Sequence, residues 1–141
     1  RSIGIVALAL GSLGAGILAL DGYDELSRLS SSYYLVREIE ARQGSFDRIL
    51  PFYSVQMYDQ TLPFYLKRPV TLVEYVDEFA LGLNAEPDKG IQRVEDWKKR
   101  WAALDQGYAI LSPSNYEQIA AGGLPMRVLA RDPRRVIVSR R

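Results

Sequence analysis

Apolar and polar positions follow different periods along this chain, and each period predicts a different element. Ser2 to Leu20 carries no charge. As a helix, a stretch of that length reaches about 30 Å, the thickness of a bilayer's hydrocarbon core. Gly4, Gly11, Gly14 and Gly16 disfavour a helix in water but are tolerated in membranes. A membrane span is the reading that length favours. A signal peptide and a buried helix or strand pair compete with it, although no clean small-x-small cleavage site follows. Arg1 before the stretch and Asp21 after it favour an N-terminus on the cytoplasmic side.

From Gly22 to Gln43 the period becomes helical. Leu26, Leu29, Tyr33 and Val36 form a stripe that Leu35 and Ile39 widen, with Arg28, Arg37, Glu38 and Glu40 largely off it. Gly44 and Ser45 end that helix. Beyond Phe46, short apolar runs alternate with helical patterns. Arg48 to Val55, Val70 to Tyr75 and Tyr108 to Leu111 read as strands. Between them, Thr61 is placed to cap a helix with Leu62 and Pro63 in its first turn. Val76 to Leu83 reads as a short helix, followed by a loop from Asn84 to Gly90. Gln92 to Leu104 reads as a longer helix with Val94, Trp97, Trp101 and Leu104 on one face, the tryptophans as core anchors. Ser112 caps the next helix, Pro113 opens it and Gly122-Gly123 closes it. Met126 to Ala130 and Arg135 to Ser139 flank Asp132-Pro133 as a closing hairpin.

The predicted fold is therefore α/β: a small, mostly parallel sheet flanked by helices, with a C-terminal β-hairpin, preceded by a transmembrane helix. The predicted division is 1–20 for the span, 21–44 for an amphipathic helix or linker, and 45–141 for a soluble domain. Neither an internal repeat nor a low-complexity segment is present.

Composition narrows the chemistry. The 141 residues contain no cysteine and no histidine, which removes thiol nucleophiles, Cys/His zinc sites and a Ser-His-Asp triad. No glycine pattern for a dinucleotide site or a P-loop follows any predicted strand. Net charge is +1, but residues 127–141 hold six arginines against one aspartate, leaving the first 126 residues at −4. Arg131, Arg134 and Arg135 are candidates for phosphate contacts, or simply a solvated strand face. Nucleic acid is not an expected partner, because no aromatic residue follows Tyr116 to interleave with these arginines.

Tyr58, Asp59 and Gln60 fall in the loop after the first strand, at the sheet edge where open α/β sheets bind ligands. They are candidates for touching a substrate or docking another domain; turn chemistry is the plain alternative. Glu78, with Glu74 and Asp77, forms an acidic group after the second strand. It fits a metal or amine contact, or the ordinary preference of helix starts for acids.

The run Tyr-Asp-Gln-Thr-Leu-Pro-Phe-Tyr-Leu, residues 58–66, resembles a motif in the C-terminal part of bacterial 4-amino-4-deoxy-L-arabinose transferases. Pro51 to Val55, Leu72 to Tyr75, Asp77-Glu78, Gly82, Glu86-Pro87, Trp101, Gly123-Leu124-Pro125 and Arg131-Asp132 follow in the family's order, extending the likeness over residues 32–141. The resemblance implies a GT-C-type glycosyltransferase of the bacterial inner membrane. Such an enzyme moves aminoarabinose from undecaprenyl phosphate to lipid A, giving polymyxin resistance. It implies a periplasmic location for the soluble part and the enzyme's own N-terminal multi-helix membrane domain as its partner. The family's catalytic aspartate belongs to that membrane domain, so no catalytic residue, metal or cofactor is assigned to this chain. The implied role is to cover the membrane site; a free-standing α/β module that binds a small anionic ligand is the alternative. The loop reading also predicts that replacing Asp59 lowers transfer more than folding.

Overall fold

The structure, a computed structural model, describes residues 2–75 and 77–140. Arg1, Arg141 and the predicted helix start Val76 lie outside the described residues, as do the side chains of Leu29 in the amphipathic stripe and of Arg28 off it. The chain divides into two units, Arg1–Ser31 and Ser32–Arg141.

The first unit is one helix, α1 (Ser2–Ser30). Its stretch Gly4–Tyr23 has a mean hydropathy of 1.9 and is exposed along its length. The sequence reading stops an apolar helix at Leu20 and starts a new one at Gly22. In the structure, the helix runs on through Asp21 and Gly22. A glycine inside a helix costs only about 1 kcal/mol, and the Glu, Leu and Arg residues beyond it are good helix formers.

The break comes instead at Ser30-Ser31-Ser32, where hydroxyls compete with helical hydrogen bonds. Helix α2 (Tyr33–Gln43) then belongs to the second unit, with Leu35, Val36 and Ile39 buried in its core. Gly44 closes it at φ +82°, a conformation natural to glycine.

The second unit is built around a six-stranded sheet. Its strands are β1 (Phe52–Val55), β2 (Thr71–Val73), β3 (Gly90–Ile91), β4 (Gly107–Leu111), β5 (Arg127–Arg131) and β6 (Val136–Arg140), in the order β3-β2-β1-β4-β6-β5. The first four are mutually parallel, and β6 and β5 complete the sheet antiparallel. Helices α2 and α3 (Leu62–Leu66) contribute to a core with Phe52, Ile110 and Ile137. Helices α5 (Val94–Ala103) and α6 (Pro113–Ala121) contribute to a second core with Val55, Ala109, Val136 and Val138. Alternate residues of β6 thus enter different cores, as the pleat requires.

Several boundaries move for local reasons. The predicted first strand begins only at Phe52, because Arg68 draws residues 47–50 out of extended pairing. Its Nη1 donates to the carbonyls of Asp47, Arg48 and Leu50 at 3.1, 3.0 and 2.5 Å. The guanidinium also lies 5.5 Å from the centre of the Phe52 ring. The predicted helix after β2 starts as a 3-10 turn, Asp77–Phe79, before α4 (Ala80–Ala85). Strand β3, inside a stretch read as loop and helix start, is only two residues long. Ser112, Pro113 and the glycine pair work as predicted: Ser112 Oγ accepts from Asn115 N at 3.2 Å.

Candidate functional site

In this strand order the connection from β1 leads outward to β2, while β4 returns on β1's other side. Loops leaving β1 and β4 therefore diverge, and such a switch point is where open α/β sheets form a crevice. The register Leu111↔Val136 places the β5–β6 turn at this same edge, beside the end of β4. The edge thus collects Tyr58 to Thr61, the acidic segment after β2, Ser112 and the turn containing Asp132 to Arg135.

Asp59 sits at the centre of a buried polar network. Its Oδ1 accepts from Thr61 N at 2.9 Å, Thr61 Oγ1 at 2.6 Å and Leu62 N at 3.1 Å. Its Oδ2 accepts from Ser32 Oγ and Arg135 Nη1, each at 2.7 Å. Thr61 therefore does not cap α3 with its own hydroxyl, as the sequence reading has it. Asp59 takes that task, and Thr61 Oγ1 accepts from Ser32 N at 2.8 Å. Three segments far apart in sequence are joined: the start of α2, the β1–α3 loop and the terminal hairpin.

Arg135 completes the network from the other side. Its Nε and Nη2 bind Asp132 Oδ2 at 2.8 and 2.7 Å. Asp132 Oδ1 accepts from the backbone N–H groups of Arg134 and Arg135, both at 2.7 Å. The side chains of Arg135 and Asp59 are 3% and 7% exposed. Burial alone pushes the Asp59 carboxyl up. Hydrogen bonds from Thr61, Arg135 and Ser32, with the charge of Arg135, outweigh it and hold the group below the ordinary carboxylate value. Burial opposes the Arg135 charge, but bonds to Asp132 and Asp59 raise its pKa further. A carboxylate this fully donated to, and held ionised, is a poor proton acceptor. The arrangement is a clamp.

The other predicted site residues are spread along this same edge. Tyr58 joins an aromatic cluster, with ring centres 4.7 Å from Phe79 and 6.2 Å from Tyr75. Gln60, Glu78, Arg131 and Arg134 are exposed. Partial desolvation, then the charges of Glu78 and Asp77, raise the Tyr75 phenol. Glu74 turns away from that acidic group: its Oε2 accepts from Val94 N at 2.6 Å and caps α5. Among the described residues no cluster of acids has the makings of a metal site. Arg135, predicted to contact phosphate, is buried between two carboxylates of its own chain. Its network partners Ser32 and Thr61 were not singled out as such by the sequence; the local hints were the Asp-Pro turn and the turn chemistry open to Asp59.

Fold and edge together define a doubly wound α/β domain whose principal polar constellation holds the architecture together. Residues 35–140 match the family described as the aminoarabinose transferase C-terminal domain, and this chain belongs to that family. Among solved structures it is similar to ArnT from Cupriavidus metallidurans bound to undecaprenyl phosphate. There the TM-score is 0.75 and the identity 35%, covering 85% of this chain and 21% of that one. The same protein in the apo state matches with a TM-score of 0.72 at 35% identity, covering 81% of this chain and 20% of that one. The chain thus spans about a fifth of the length of these relatives. No curated protein matches it.

Proposed function

We propose that this chain serves as the C-terminal domain of an inner-membrane glycosyltransferase that transfers aminoarabinose from undecaprenyl phosphate to lipid A. The domain-length family match carries this reading. Helix α1 anchors the sheet-bearing unit, which lies in the periplasm over a site formed by the multi-helix membrane domain. The local chemistry agrees with a covering role. The carboxylate at the switch point is neutralised and saturated by donors, which leaves structure rather than proton transfer as its task. Tyr58, Gln60, Glu78, Arg131 and Arg134 share the edge around this clamp and form the docking face, with Arg131 and Arg134 as its phosphate-contacting members.

The test is reconstitution in proteoliposomes with the undecaprenyl-phosphate-linked sugar and lipid A. The whole transferase carrying this domain transfers the sugar, and the 141-residue chain alone does not. Sugar transfer by the chain alone would refute the covering role. Unimpaired transfer by an enzyme lacking residues 32–141 would refute it equally.

A further inference from the structure

At the sheet edge opposite the clamp lies a second polar feature. The registers Tyr108↔Ser139 and Arg127↔Ser139 place these three residues in one row across β4, β6 and β5. Directly paired residues project from the same face, so their side chains stand side by side. A cavity of about 170 Å³ opens over this row, lined also by Gln43, Gln106 and Arg140. Among the described residues, no acidic residue lines it.

The Ser139 hydroxyl is the telling atom. Ser139 is 7% exposed, and its Oγ is buried with no hydrogen-bond partner. A buried hydroxyl without a partner is unfavourable, and Ser139 is one of the residues that line this cavity. Beside it, Arg127 makes a long 3.4 Å contact to Gln43 Oε1 that exchanges easily for a better acceptor. The wall thus offers a guanidinium fork, amide N–H groups and hydroxyls, with no negative charge to balance a cation.

We infer that this cavity is an oxyanion site that takes a phosphate group, with Arg127 as its charged anchor and Ser139 as a donor from its floor. A guanidinium presents parallel N–H groups that match two phosphate oxygens, and the hydroxyls reach a third. The ligand is inorganic phosphate or the phosphomonoester headgroup of a lipid. The site lies across the sheet from the docking face and does not depend on the proposed function.

The test uses the whole chain in neutral detergent, followed by amide NMR during titration with inorganic phosphate at constant ionic strength. Saturable shifts at Gly107, Tyr108, Arg127 and Ser139 are expected. Arg127→Gln weakens the binding roughly tenfold and Ser139→Ala about threefold, in line with losing a charged and a neutral hydrogen bond. Lys99→Gln, on the exposed face of α5, leaves it unchanged. A second arm places the chain in phosphatidylcholine nanodiscs with and without phosphatidic acid. Shifts at the same amides only with phosphatidic acid identify the lipid headgroup as the source. Should Arg127→Gln not fold, Ser139→Ala decides. Absence of these shifts with both probes, or undiminished affinity in the folded variants, overturns the site.

Discussion

Arg135 and Asp59 stand 76 positions apart in the sequence, yet Nη1 of one donates to Oδ2 of the other at 2.7 Å. Their contact ties the last hairpin to the first βα loop, with Ser32 Oγ bonded to the same carboxylate oxygen. An ion pair this deeply buried gains from its attraction only what exceeds the cost of desolvating both groups. Removing one partner is a different matter, because the other charge stays behind unpaired.

The first prediction follows from that asymmetry. Asp59→Ala and Arg135→Met each destabilise the sheet-bearing unit by about 3–5 kcal/mol, while the double substitution costs clearly less than the sum. Both tryptophans lie in this unit, so urea unfolding followed by tryptophan fluorescence reads the domain directly. Additive losses would show that the two groups are not coupled. This prediction runs opposite to the sequence-based expectation that Asp59 affects transfer more than folding.

Acid provides a second handle on the same carboxylate. Its folded pKa lies below the unfolded value, so the unfolded state takes up its proton first as pH falls. The stability that Asp59 contributes is fully present above the unfolded value, about pH 4. It is lost as pH drops through the lower folded value. Urea midpoints for the native chain should therefore fall more steeply below about pH 4 than those for Asp59→Asn. Parallel curves would remove Asp59 from the acid response.

How far the sequence foretold these features depended on how far apart their determinants lie. Ser112, Pro113 and Gly122 bracket α6 because cap, proline and stop signal lie within one element. The stripe of Trp97 and Trp101 needed only the helical period, and both are fully buried. The Asp132-Pro133 turn marked the hairpin because aspartate bonds its own following N–H groups. Strand β3 escaped because Gly90 and Ile91 carry too little pattern for any period. The clamp was half visible: Asp59 was singled out for substrate contact or docking with turn chemistry as the alternative, and its bonds from Thr61 N and Leu62 N are that turn chemistry, while Arg135 was singled out for phosphate. Only the strand order β1-β4-β6 brings them together, and no local signal encodes that order.

Glu74 yields a third prediction. It occupies the left-handed region at φ +48° while its carboxylate caps the first turn of α5. Glu74→Ala loses the cap and keeps the backbone strain, costing about 1 kcal/mol. Glu74→Gly loses the cap but relieves a left-handed penalty of about 1–2 kcal/mol. The glycine variant should therefore have the higher urea midpoint, although an ordinary propensity argument ranks alanine first. The opposite order would mean that the left-handed backbone strain is absorbed elsewhere.

The two tryptophans provide the last contrast. Both are fully buried, and their rings pack 5.3 Å apart between centres. Trp101 Nε1 donates to the Pro125 carbonyl at 2.9 Å, whereas Trp97 Nε1 is buried with no partner. Replacement by phenylalanine removes similar volume at each position, so the packing losses largely cancel in the comparison. What remains is the hydrogen bond. Trp101→Phe strands the Pro125 carbonyl and loosens the segment between α6 and β5, while Trp97→Phe removes a donor that was already unsatisfied. Trp101→Phe should thus be the more destabilising by about 1–2 kcal/mol, read from urea unfolding with the remaining tryptophan as the probe. Equal losses would assign the whole effect to packing.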